Sequence, residues 1–199
     1  MNSEIERECV QRLLLATGKA DFILESPSPP APDVKALWPD GSCDVFEVTE
    51  VHPDENPGYG SAARADEERH LRRDSQAIHG TWIQSTPIPA IGYRIADKIR
   101  KAQGYIVNAN EPLSLLLVGG LLKPGAVAAT SVVPQFLTTE LLNQHFHESL
   151  ANSRFDQAYL HLQLFGAIWV WDKIKGWRVL QPPNLFHEGR SALEMLRSL

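Results

Sequence analysis

The stretch Pro32-Asp33-Val34-Lys35-Ala36-Leu37-Trp38-Pro39-Asp40-Gly41-Ser42-Cys43-Asp44-Val45-Phe46-Glu47-Val48-Thr49-Glu50-Val51 decides how the chain folds. Two apolar-rich runs flank Pro39-Asp40-Gly41, so the stretch predicts a β-hairpin around that turn. An acid opens the first run, and Glu47 interrupts the second. Side chains alternate across a strand. Val45, Glu47, Thr49 and Val51 therefore share one face, and Asp44, Phe46, Val48 and Glu50 share the other. Both faces carry apolar residues, which predicts an interior strand covered on both sides. A carboxylate there is costly unless it is paired, hydrogen-bonded or bound to a cation. A partly exposed strand end, or a partner such as Lys35, would satisfy Glu47 without any chemistry.

Upstream, Ser3 and Glu6 have capping-box spacing, with Ser3 as the N-cap. A helix is predicted from there to about Thr17, with Gly18 as its C′ residue. Asp21 to Glu25 reads as a short strand, followed by a Pro-rich loop. Downstream, residues 52–62 read as a loop and 62–78 as a solvated helix of mixed charge. Pro89 starts a helix that runs to about Val107. Leu113 to Val118 is an apolar strand closed by Gly119-Gly120, and Thr138 to Leu150 is an amphipathic helix. Residues 159–165, 167–171 and 177–180 read as strands, and 191–199 as a short helix. This order predicts an α/β fold with a mixed central sheet flanked by helices and extra C-terminal strands. One domain over residues 1–199 is expected, with 52–88 as an insertion and 126–199 as a C-terminal extension of the core.

Composition limits the function classes. Hydrophobic residues make up 43% of the 199-residue chain and charged residues 22%, enough to bury a sizeable core. The formal net charge of -5 gives no global basic field, so nucleic acid would have to be met at a local basic cleft. Two cysteines, Cys9 and Cys43, make neither a disulfide framework nor a zinc set and are expected as buried free thiols. The charged N-terminus does not read as a signal peptide, and the longest apolar run, Leu113 to Leu122, is too short to span a bilayer. A cytoplasmic protein without membrane association is expected.

Two further residues share the puzzle of Glu47. Ile5, Cys9, Leu13 and Ala16 define the apolar stripe of the first helix, and Glu6 falls inside it, whereas Glu4 and Glu8 fall outside. Closing the capping box would explain Glu6 by itself. On the Pro89 helix, Lys98 lies within the stripe of Ile91, Ile95, Ile99 and Ala102; snorkelling along the core edge would explain it equally. Taken together, Glu6, Asp33, Glu47 and Lys98 can satisfy one another at one site, with or without a divalent metal. Two carboxylates on adjacent strands are hard oxygen ligands suited to Mg²⁺ or Mn²⁺. Such an ion activates water and neutralises charge on a phosphodiester, and a neighbouring lysine stabilises the transition state.

At these residues the chain resembles the PD-(D/E)xK nuclease superfamily. Pro32-Asp33, thirteen intervening residues and Glu47-x-Thr49 are similar to its motif. The opening Glu6-Arg7-Glu8-Cys9-Val10 is similar to the first helix of archaeal Holliday-junction resolvases, where the first glutamate is the functional one. The resemblance covers residues 4–51 and, more loosely, the 89–119 unit. It implies a restriction-endonuclease-like core, Asp33 and Glu47 as ligands of Mg²⁺ or Mn²⁺, Glu6 as a third acid, DNA as substrate and a homodimer. One departure matters: the motif lysine is replaced by Thr49. Lysine migration, which the superfamily also shows, makes Lys98 the first substitute and Lys35 the second. A three-residue turn of Asp40-Gly41-Ser42 would set Asp33 opposite Thr49 and Lys35 opposite Glu47; an even-numbered turn would point Lys35 away.

Other candidates are weaker. His145 and His147 do not face the same way on a helix. His52 and Asp54 read as loop polarity, and Glu50 as a structural or surface acid. Trp169, Trp171 and Trp177 offer stacking surfaces for bases, although two of them sharing a face points to core or an interface. No phosphate-binding or dinucleotide fingerprint is present. Two functions follow: a metal-dependent endodeoxyribonuclease, or an inactive nuclease-fold protein that binds nucleic acid or protein, acting through the aromatic C-terminal hairpin or within a larger complex.

Overall fold

A strand with no polar face must be covered on both sides, and Leu113–Gly119 is buried at every position. It is the middle strand of seven in the computed structural model of the chain, which describes residues 3–51, 87–119, 137–183, 186–187 and 190–191. The elements are α1 (Ser3–Ala16), β1 (Ile23–Glu25), β2 (Val34–Leu37), β3 (Cys43–Val51), α2 (Ile88–Ala102), β4 (Leu113–Gly119), α3 (Thr139–Ala151), β5 (Gln157–Leu162), β6 (Ala167–Asp172) and β7 (Gly176–Gln181). Two short strands, β8 (Phe186–His187) and β9 (Arg190–Ser191), pair with each other.

The sheet order is the chain order, β1 to β7. β1, β2 and β3 are antiparallel neighbours. β3, β4 and β5 are parallel, and β6 and β7 return antiparallel. The class is therefore α/β with a mixed sheet, as the element order predicts. Successive crossovers of one hand that advance in one direction put their helices on one face. α2 and α3 indeed share a face, packing Ile91, Ile95, Leu142, Phe146 and Leu150 over Leu115, Leu117, Leu160 and Trp171. α1 covers the other face with Cys9, Val10, Leu13 and Leu14 against Phe46, Val48, Leu116 and Val118. Phe46 and Val48 face α1, whereas Val45 and Val51 face α2, so β3 is covered on both sides as its alternation predicts.

Local chemistry fixes the element ends. Lys19 N donates to Leu14 O at 2.9 Å and Gly18 N to Leu15 O at 3.0 Å, with Gly18 at φ +75. That is a Schellman closure with Gly18 at C′. The hairpin turn is Pro39-Asp40-Gly41: Trp38 N donates to Ser42 O at 2.9 Å, and Gly41 adopts φ +84. Thr138 caps α3, its Oγ1 accepting from Leu141 N at 3.2 Å.

Three expectations need correction. α1 begins at Ser3, so Ser3 lies in the helix rather than outside it as a cap. α2 ends at Ala102 rather than near Val107, because Arg154 Nη1 takes the carbonyls of Ala102 at 2.8 Å and Tyr105 at 3.0 Å and the chain turns at Gly104. Ser191 pairs in β9 instead of opening the expected helix, whose remaining residues 192–199 lie outside the described residues. The predicted 62–78 helix, like His52 and Asp54, lies outside the described residues. Among the described residues no helix is long and apolar enough to cross a membrane.

Candidate active site

Glu47 sits where β3 outruns its neighbour. The β2–β3 ladder ends at Val34 opposite Phe46, and one further step in register sets Asp33 opposite Glu47. Past that point β2 no longer supplies a backbone partner. The Asp33 side chain takes its place: Oδ2 accepts from Val48 N at 2.9 Å. This is a carboxylate closing the edge of a strand, and it fixes Asp33 beside Glu47.

Glu47 is 3% exposed and points to α2, as its parity with Val45 and Val51 requires. Lys98 reaches down from α2, and its Nζ donates to Glu47 Oε1. Ile91 and Ile95 bury the same side of α2, so the Lys98 stem runs along the core edge with its ammonium at the acid. The Tyr105 phenol lies near enough to Glu47 to draw the carboxyl's pKa down, against the rise that burial gives it. Tyr105 follows the end of α2, and the Arg154 bond to its carbonyl holds that turn in place.

The charges feel one another. Burial raises the Glu47 pKa, Lys98 lowers it, and Asp33 raises it again. Glu6 on α1 is half-buried, and burial followed by the Asp33 charge raises its pKa too, with Glu47 adding to it and Lys98 opposing. Burial, then the Glu47 carboxylate, raises the Tyr105 phenol. Lys98 thus contacts Glu47 and is felt by Glu6, while the Asp33 charge acts on both of those acids. The carboxylates of Glu6, Asp33 and Glu47 are the oxygen donors available to a cation here. Among the described residues, no group of three His, Cys, Asp or Glu side chains is placed to hold a metal ion by itself.

The other predicted candidates lie elsewhere. Lys35 stands opposite Val45, not Glu47, because the turn is centred one residue earlier than Asp40-Gly41-Ser42 would place it. Its Nζ pairs with Glu111 at 2.7 Å and holds that carboxyl down to about 2. Glu50 is half-buried on the opposite face of β3 from Glu47. His147 Nδ1 accepts from Trp171 Nε1 at 3.0 Å, a packing bond and no part of a metal pair with His145. Trp169, Trp171 and Trp177 are 2% exposed or less, so none is available to stack a base, and the hairpin loses its claim as an aromatic binding surface. Cys9 is buried as expected, whereas Cys43 is only half-buried.

Sequence reasoning missed Tyr105. The helix predicted to Val107 absorbed it, and the signal that could have separated it is Gly104, which marks a helix stop. No protein-family model matches the chain, and neither the curated proteins nor the solved structures show a match to it.

Proposed function

We propose that the chain is a metal-dependent nuclease that hydrolyses phosphodiester bonds of DNA, built on a restriction-endonuclease-like core. The observation that carries this reading is Lys98. It comes from the helix after the hairpin, yet its ammonium meets Glu47 beside Asp33, where the motif lysine would act. The order α1-β1-β2-β3-α2-β4, with β3 parallel to β4, supports the same reading.

Asp33 and Glu47 would hold Mg²⁺ or Mn²⁺. The donor set fits, because such an ion uses one or two carboxylates and completes its shell with waters and phosphate oxygens. The bound ion would activate a water and screen the charge of the phosphodiester. Lys98 places a positive charge where negative charge builds on the phosphoryl oxygens. Glu6, with its raised pKa, retains a proton to higher pH than an ordinary carboxyl and acts through water at the edge of the site. Thr49 is 5% exposed on the Glu47 face and carries no charge, so it fills space there and leaves the cationic role to Lys98. A cytoplasmic homodimer is the working form this reading takes.

The test is calorimetry of Mn²⁺ with the wild type, Asp33→Ala and Glu47→Gln, followed by plasmid nicking with the same samples. Binding and nicking in the wild type, both lost in the two variants, are expected. Undiminished metal-dependent nicking by Asp33→Ala would end the proposal. Thr49 at the lysine position favours a second reading, an inactive nuclease fold that binds nucleic acid or protein. Absence of both Mn²⁺ binding and nicking in the wild type would select it.

A further inference from the structure

α2 is charged unlike the rest of the chain. Residues Ile88–Ala102 carry Arg94, Lys98, Arg100 and Lys101 against the single acid Asp97, in a chain of net charge -5. The cations are not spread around the helix. At about 100° per residue, Arg94, Lys98 and Lys101 fall within an arc of roughly 60°, whereas Arg100 projects well outside it. The contact between Lys98 and Glu47 fixes the direction of that arc: it borders the acid site. Arg94 lies about 6 Å up the axis from Lys98 and Lys101 about 4.5 Å down it, from the helical rise.

The flanking cations have neighbours of their own on the helix. The Arg94 guanidinium lies 5.9 Å from the centroid of the Tyr93 ring, and Tyr93 is 40% exposed. The Lys101 side chain is 48% exposed, and its pair with Asp97 at 2.8 Å is a surface pair of little energy. Lys101 makes the i,i+4 pair with Asp97, and α2 itself carries no second acid to alternate with the other cations. This arc is cationic along three successive turns, with Asp97 at its margin.

We infer that the Arg94–Lys98–Lys101 face of α2 is the track on which a nucleic-acid phosphate backbone lies as it passes Glu47. The inference rests on the nuclease reading only for what happens at the middle of the track; the track itself is a binding surface. Regularly spaced cations meet regularly spaced phosphates, and each contact releases condensed counterions. The contacts carry position and no sequence information.

The test is fluorescence anisotropy of a labelled DNA duplex with the full chain in EDTA, where cleavage is off, across a series of NaCl concentrations. The plot of log K against log salt is expected to lose about 0.9 of slope in Arg94→Ala and again in Lys101→Ala. Arg100→Ala should leave the slope unchanged, and Lys101→Arg should retain it. Unfolding midpoints of the variants confirm that each is folded. An unchanged slope in both Arg94→Ala and Lys101→Ala overturns the track, even if the wild type nicks plasmid in Mn²⁺. A wild type that does not bind the duplex overturns it too. Reduced slopes in a protein that never nicks would uphold the track and remove the nuclease.

Discussion

Replacing Lys98 with methionine removes the ammonium from Glu47 while preserving most of the stem that packs along α2. The side chains of Lys98 and Glu47 are 12% and 3% exposed, so the change strands a carboxylate in a largely dry place. Breaking a buried pair from one side costs about 3–5 kcal/mol. Lys98 sits at the rim, where water can partly replace it, so the lower end applies: about 3 kcal/mol at pH 8. For a chain of this size that is a fall in Tm of roughly 6–12 °C. The pH dependence follows from the direction of the Glu47 shift. Burial already raises its folded pKa above the unfolded value. A raised group contributes stability that is fully present below the unfolded pKa and is lost as pH rises through the folded one. Lys98 opposes this shift, so its removal drives the folded pKa higher. The loss in Lys98→Met should therefore be full at pH 8 and shrink towards pH 5, as Glu47 takes up a proton. Urea unfolding at the two pH values reads it, and the double variant Glu47→Gln/Lys98→Met should recover most of the stability at pH 8. An equal loss at both pH values with no recovery in the double variant would refute the reasoning.

Two other outcomes are expected. His161 is 5% exposed, and burial depresses its pKa to about 4, with Arg12 adding to the shift. A depressed folded pKa gives stability that is present above the unfolded value near 6.5 and lost as pH falls towards 4; His161→Gln should flatten that limb of the urea midpoint against pH. Cys9 is 1% exposed and burial pushes its thiol up to about 11, whereas Cys43 is half-buried. A thiol reagent at pH 8 should therefore label Cys43 in the native protein and reach Cys9 only on unfolding, as peptide mapping would show.

The parts of the site that could be read from sequence are those set by periodicity. The period of a strand put Glu47 on the face of Val45 and Val51, and the period of a helix put Glu6 and Lys98 on inward stripes; each lies there. Turn chemistry located Pro39-Asp40-Gly41 and Gly18 because those positions need unusual backbone angles. What failed depends on distant partners. Gly104 marks the end of α2 locally, but the turn after it is held by Arg154, some fifty residues further on, and only that distant contact sets Tyr105 near Glu47. Lys35 was drawn to Glu111, which is distant in sequence and near in space. The tryptophans show a third limit: alternation assigns a side chain to a face, but the depth of that face depends on the cover that α3 supplies.

One feature of the sheet edge reaches further than its single hydrogen bond. A strand ordinarily ends where its neighbouring backbone ends, and backbone groups do not change charge. Beyond Phe46, on the side away from β4, the neighbour of β3 is a side chain, the Asp33 carboxylate, held at Val48 N. The border of the sheet is therefore chemically addressable. A cation that draws on that carboxylate pulls directly on the main chain of β3, one residue from Glu47, without passing through the core.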